Sequence, residues 1–138
     1  MAVSIAGDLL GEGSEPSRSA KPDLLVVNLA EVFGGSGASA RRAAVQRLYA
    51  PDAVLLEAEG AFSGHEAIWQ KVEAILAQVP TGFSFEPITP PSAHHGVGVL
   101  QWKLGPPGAA PVLIGTDVAT FKDQRIFVLR VFLAGSPK

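Results

Sequence analysis

From Pro22 onward, apolar residues recur at helical spacing: Leu24, Leu25, Val27 and Val32, with Asn28 among them. Pro22 and Asp23 suit a first turn and Gly34-Gly35 a stop, so the pattern predicts a helix over Pro22–Phe33. Ser36 can cap a second helix, predicted over Ala38–Tyr49 and ended by Pro51. Its Ala44, Val45, Leu48 and Tyr49 make one apolar face, with Arg41, Arg42, Gln46 and Arg47 mostly outside it. Ala53–Ala58 reads as a short apolar strand, and Gly60–Gly64, with Phe62 inside it, as a loop. Ile68, Val72, Ile75, Leu76 and Val79 repeat at three and four, which predicts a third helix over His65–Val79, broken by Pro80 and Gly82. Beyond it the period changes to two. Strands are predicted over Phe83–Thr89, Ala93–Leu104, Val112–Lys122 and Ile126–Leu133. They are joined by Pro90-Pro91, a Gly/Pro-rich loop over Gly105–Pro111 and a tight turn at Asp123-Gln124. Helices first and antiparallel strands last predict an α+β domain with the helices packed on one face of the sheet.

Composition narrows the function classes. The 138 residues suit one domain over residues 21–138, preceded by a Gly/Ser/acid-rich stretch at 1–20 that reads as a mobile arm, with room for a short helix over Val3–Leu10. Hydrophobic residues at 47 % against 17 % charged favour an apolar cavity or an apolar interface. The net charge of −2, with scattered Lys and Arg, argues against a nucleic-acid surface or a polybasic membrane anchor. The absence of cysteine removes disulfides, thiolate nucleophiles and Cys metal sites. No apolar run reaches the ~18 residues of a membrane span, and Met1–Leu10 lacks the basic start of a signal peptide, so a cytoplasmic setting is expected.

Three segments carry a resemblance. Leu48-Tyr49-Ala50-Pro51-Asp52-Ala53-Val54 leads from a helix into a strand. In Phe62-Ser63-Gly64-His65-Glu66-Ala67-Ile68 a Gly opens a helix. Gly115-Thr116-Asp117-Val118-Ala119-Thr120-Phe121 followed by Asp123-Gln124-Arg125-Ile126 makes a strand, a turn and a last strand. Over about residues 22–135 the chain resembles the nuclear-transport-factor-2-like superfamily, and within it the SnoaL-like polyketide cyclases and ketosteroid isomerases. The resemblance implies a cone of curved antiparallel sheet covered by three helices, a hydrophobic pocket, and a homodimer formed through the sheet. The superfamily hosts enzymes and binders alike, so fold alone does not fix function.

Candidate chemistry centres on Asp117. Alternation puts Leu113, Gly115, Asp117, Ala119 and Phe121 on one face of an apolar strand. If that face is concave, desolvation raises the carboxyl pKa and suits it to general acid or base work. The alternative is an Asp satisfied by a backbone N–H or an Arg, or one facing solvent. The related families use an acid at this position. Glu57 falls where the isomerases carry their catalytic Asp, with Ala58 replacing the usual following Pro; its alternative is a rim carboxylate, and Glu59 is its neighbour. The isomerases' helical oxyanion Tyr has no counterpart in Val26–Phe33, where Asn28 can donate a hydrogen bond but is a weak substitute, and Tyr49 reads as core.

In the strand through His94, one face carries His94, Gly96, Gly98, Leu100 and Trp102. Its two glycines either leave room for a ligand or mark a bend, with Trp102 closing one side and His94 pairing with Asp117. His94 and His95 point to opposite faces, which disfavours a joint metal site. Phe62 either caps the pocket or staples a helix, and Leu100 and Phe121 are expected at its wall. Trp69 and His65 read as packing, and Arg130 either pairs with a carboxylate or, the preferred reading, lies on the outer sheet face at a dimer seam. Gly34-Gly35-Ser36-Gly37 lacks the features of a phosphate loop and reads as an interhelical turn. The chemistry expected is cofactor-free proton transfer on a ketone- or polyketide-like substrate. The alternatives are a non-catalytic holder of a small apolar ligand, or a dimerisation module with a filled cone.

Overall fold

The computed structural model describes residues 21–134. The proposed N-terminal arm and its short helix lie outside them. Helix α1 (Asp23–Val27) runs without a break into a π-helical stretch, Asn28–Phe33, which ends where the Gly34 N–H bonds back five residues to the Leu29 carbonyl at 2.9 Å. Such wide turns are rare and often mark functional sites. Gly35 is required at the exit, because a Cβ there would meet the Glu31 carbonyl oxygen at 2.4 Å.

Helix α2 spans Ala38–Leu48, and Gly37, rather than the expected Ser36, precedes it without a side-chain cap. Tyr49 does not close this helix. It opens strand β1 (Tyr49–Glu57) in an extended conformation. Pro51 accounts for the early exit, since it pushes the residue before it out of the helical region. The expected loop at Gly60–Gly64 is mostly strand β2 (Gly60–Ser63), joined to β1 by the tight turn Ala58-Glu59. Helix α3 (His65–Leu76) ends one turn early, and Ala77–Val79 continue it only through bonds such as Gln78 N–H to Ile75 O at 3.0 Å.

The remaining strands are β3 (Ser84–Pro87), β4 (Ser92–His94), β5 (Val97–Gly105), β6 (Leu113–Lys122) and β7 (Arg125–Ala134). The single strand expected over Ala93–Leu104 is two strands. His95 (φ 50°) and Gly96 (φ 78°) are both left-handed and fold β4 back onto β5. Two consecutive left-handed residues make the mirror-image turn that suits a tight hairpin. Asp123 and Gln124 (φ 51° and 63°) do the same between β6 and β7, as the sequence led us to expect.

The seven strands form one sheet in the order β2-β1-β7-β6-β5-β3, with β4 also on β5. All neighbours are antiparallel except β1 and β7, which run parallel, so the sheet is mixed rather than purely antiparallel. The helices lie on its concave face. There Leu25, Val32, Val45, Tyr49, Leu55, Ile68, Val72, Leu100, Ile126 and Leu129 form a fully buried core. Burial alternates along β5 and β6 as the period-two reading requires: Gly98, Leu100, Trp102 and Leu104 face in from β5, and Gly115, Asp117, Ala119 and Phe121 from β6.

Candidate functional site

The core does not fill the cone. Between the wide end of the sheet, the π-helical turn and the C-terminal half of α3 lies a cavity of about 630 Å³. A volume of this size suits a small-molecule site and counts against the filled-cone reading. Leu29 and Phe33 line it from the π-helical turn; Lys71, Ile75 and Val79 line it from α3 and its tail. Leu55, Phe85, Trp102, Leu113, Val131 and Leu133 line it from the sheet, together with Glu57 and Asp117.

Asp117 is 2 % exposed and one of two buried polar residues among the described residues. The indole N–H of Trp102 donates to its Oδ1 at 2.9 Å. The two residues sit on a cross-strand diagonal, since Trp102 pairs with Gly115 and Leu100 with Asp117. Gly115 makes the bond possible: a Cβ there would stand 2.1 Å from Trp102 Cζ2. Its missing side chain is the seat of the indole. Among the described residues nothing donates to Oδ2, and Asp117 lines the cavity. Burial pushes its pKa from 3.8 up to about 6, against the smaller opposing pull of the Trp102 hydrogen bond.

Glu57 lines the same cavity from β1. Leu56 pairs with Arg130 and Asp117 with Val131, so Glu57 and Asp117 flank the Val131 row. Two strand spacings put their backbones roughly 10 Å apart. Lys71 Nζ lies 3.2 Å from Glu57 Oε2 and 2.8 Å from Glu59 Oε1, and 5.1 Å from the centre of the Phe62 ring. The Glu57 contact is an ion pair without hydrogen-bond alignment. Glu59, three-quarters exposed, marks the mouth, and its carboxyl is held below the usual range by the Lys71 hydrogen bond.

Other expected site residues stand elsewhere. His94 is exposed beside the β4–β5 turn, with its Nδ1 2.9 Å from that of His95, and it does not line the cavity. The tight turn at His95-Gly96 carries it away from the Asp117 row. The glycines of this region leave no open wall: Gly96 is in the turn, and the Phe121 ring and Leu25 fill the space over Gly98 at 3.0 and 3.3 Å. Phe121 and Leu100 are therefore core rather than wall. Phe62 lies beneath Lys71, outside the cavity lining. Asn28 is fully buried and does not line the cavity; its Oδ1 accepts from the Tyr49 hydroxyl at 2.8 Å and its Nδ2 has no partner among the described residues. Burial first, and the charge of Asp117 second, push the Tyr49 hydroxyl well above its ordinary range. Trp69 packs as expected, donating to the Ala38 carbonyl at 3.0 Å beneath Arg42. Sequence reasoning missed Lys71 and the Trp102–Asp117 bond. The signal for the bond was a glycine in cross-strand register with a tryptophan.

A three-helix cover over a curved mixed sheet with a cavity at its open end defines an α+β cone of the nuclear-transport-factor-2-like kind. Residues 36–129 match the SnoaL-like domain, and the chain belongs to that family. Among solved structures it is similar to a proposed isomerase of the SnoaL-like family from Agrobacterium tumefaciens (24 % identity, TM-score 0.74, covering 82 % of this chain and 96 % of that one). It is also similar to a proposed polyketide cyclase from Sinorhizobium meliloti (22 %, 0.62, 81 % and 95 %). A third is a protein of ketosteroid isomerase-like fold from Catenulispora acidiphila, in complex with trimethylamine (15 %, 0.64, 82 % and 86 %). At these identities the likeness carries the fold alone. No curated protein matches the chain.

Proposed function

We propose that this protein is an acid/base catalyst of the isomerase or cyclase type. It moves a proton at the carbon beside a carbonyl in an apolar ketone- or polyketide-like substrate, and Asp117 takes and returns that proton. The observation that carries the reading is one carboxyl group. It is 2 % exposed, lines an apolar cavity, keeps one oxygen free of donors among the described residues, and has its pKa pushed up to about 6. A group poised near working pH serves both as acceptor and as donor. Glu57 is the assisting carboxylate, and such a proton shuttle runs on side chains alone. The names of the Agrobacterium and Sinorhizobium proteins point the same way. The setting that goes with this reading is cytoplasmic; among the described residues no helix is long and apolar enough to cross a membrane. The active form in this proposal is a homodimer joined through the convex sheet face, where Val97, Val99 and Phe132 are exposed.

One observation favours a second reading, a non-catalytic holder of an apolar ligand: Glu57 is tied to Lys71, which leaves Asp117 without a free partner acid. Incubating the protein with a panel of apolar enolisable ketones in D₂O separates the two. Catalysis predicts protein-dependent deuterium incorporation at the α-carbon, lost in Asp117→Asn with binding retained. Exchange that survives in Asp117→Asn removes Asp117 from the mechanism. Ketones that bind without exchange establish the second reading.

A further inference from the structure

The charges around the cavity are unequal. Its lining holds three carboxylates, Asp117, Glu57 and Glu59, against one ammonium, Lys71. Lys71 is committed to Glu57 and Glu59 at 3.2 and 2.8 Å, so the mouth retains a net negative charge. At the deep end Asp117 has an indole N–H and, among the described residues, no cation. A buried anion without a counter-ion is among the costlier arrangements in a protein, and a cation delivered to it recovers part of that cost. The wall beside it is aromatic. Phe33, Phe85 and Trp102 follow one another with ring centroids 5.6 and 5.5 Å apart, and all three line the cavity. Aromatic faces attract cations, most strongly where water is displaced. Apart from Gln78, the rest of the wall, including Leu113, Val131 and Leu133, is apolar.

We propose that this cavity also takes a lipophilic cation, a tertiary amine or quaternary ammonium with apolar substituents, whose nitrogen stands between Asp117 and the Phe33–Phe85–Trp102 wall. A neutral ketone meets Asp117 as a proton donor or acceptor, whereas the cation meets it as a counter-ion, so the two ligands compete for one place. The inference shares Asp117 with the proton-transfer reading but needs no reaction, and it stands whether or not any ketone is turned over.

The test compares two isosteres that differ only in charge: benzyl(2-hydroxyethyl)dimethylammonium and its all-carbon counterpart, 3,3-dimethyl-4-phenylbutan-1-ol. Both are titrated into the wild-type protein by calorimetry at pH 8. The ammonium compound is expected to bind at least about tenfold more tightly. Asp117→Asn, checked for folding by circular dichroism, is expected to bring the two affinities together. Equal affinities in the wild type, tighter binding of the alcohol, or no binding of the ammonium compound would each overturn the proposal, and none of these needs the variant to fold. A charge preference that persists in folded Asp117→Asn overturns the assignment to Asp117. Deuterium exchange into ketones is read separately, so failure here leaves the proton-transfer reading standing, and the reverse also holds.

Discussion

Asp117 accepts one hydrogen bond from the described side chains, although it is nearly sealed from solvent. Its folded pKa of about 6 lies above the ordinary 3.8, so between these values the folded chain keeps a proton that the unfolded chain has released. The stability this group contributes is therefore fully present below about pH 4 and is lost as the pH rises through about 6. Two pKa steps correspond to about 3 kcal/mol. Asp117→Asn keeps an acceptor for Trp102 and leaves no charge to bury. It is expected to raise the unfolding free energy at pH 7.5 by about 1–3 kcal/mol and to change it little at pH 4, as read by urea denaturation at the two pH values. A variant no more stable than the wild type at pH 7.5 would contradict the cost assigned to this carboxylate.

At the scale of elements, turns decide what the strands can present. The β6–β7 turn places Gln124 at φ 63°, a conformation that favours glycine. Gln124→Gly is expected to stabilise the domain by about 0.5–1 kcal/mol, visible as a rise in Tm of a few degrees; an unchanged or lower Tm would show that the turn relaxes without glycine. The β4–β5 turn shows where sequence reading stopped. The alternation that put Gly115 with Asp117 and Leu100 with Trp102 on one face of their strands was legible, because a two-residue period survives any error in strand ends; that both faces point inward was not. The His95-Gly96 reversal was not, because a His in the left-handed region has no strong local signature. That one turn moved His94 from the expected pocket to the surface. Tyr49 was misread for a related reason: its apolar spacing continued the helix, while Pro51 acted from two residues away. The Trp102–Asp117 bond needed the register of β5 on β6, which a single sequence does not print. Lys71 was hidden because its partners come from β1 and the β1–β2 turn.

At the scale of the whole molecule, one sheet face is covered by helices and the other exposes apolar side chains among polar ones such as Gln101 and Thr116. Val97 and Val99 of β5 and Phe132 of β7 are 38, 39 and 56 % exposed, and Arg130 lies among them on the convex side. Exposed apolar clusters of this kind mark association surfaces. The homodimer we propose makes Phe132→Arg a disruptive change, because it places a second cation beside Arg130 in a surface that would be buried. Sedimentation velocity is expected to show a dimer for the wild type and a monomer for this variant, with the folded domain intact. A wild-type monomer at micromolar concentration would remove the sheet face from the account. The cavity is lined from the inner face of the sheet and from the helices, on the side opposite the proposed dimer face.

The account rests on Asp117 being a desolvated carboxyl group, and its titration tests this most directly. Carbon-detected NMR of protein labelled at the Asp side-chain carboxyl carbon, with Asp117→Asn to assign the signal, follows that group from pH 3 to pH 9. The expected midpoint is about 6, and it should rise further in Trp102→Phe, which deletes the hydrogen bond that lowers it. A wild-type midpoint near 3.8 would mean an ordinary solvated carboxylate and would contradict both the proton-transfer reading and the geometry that supports it.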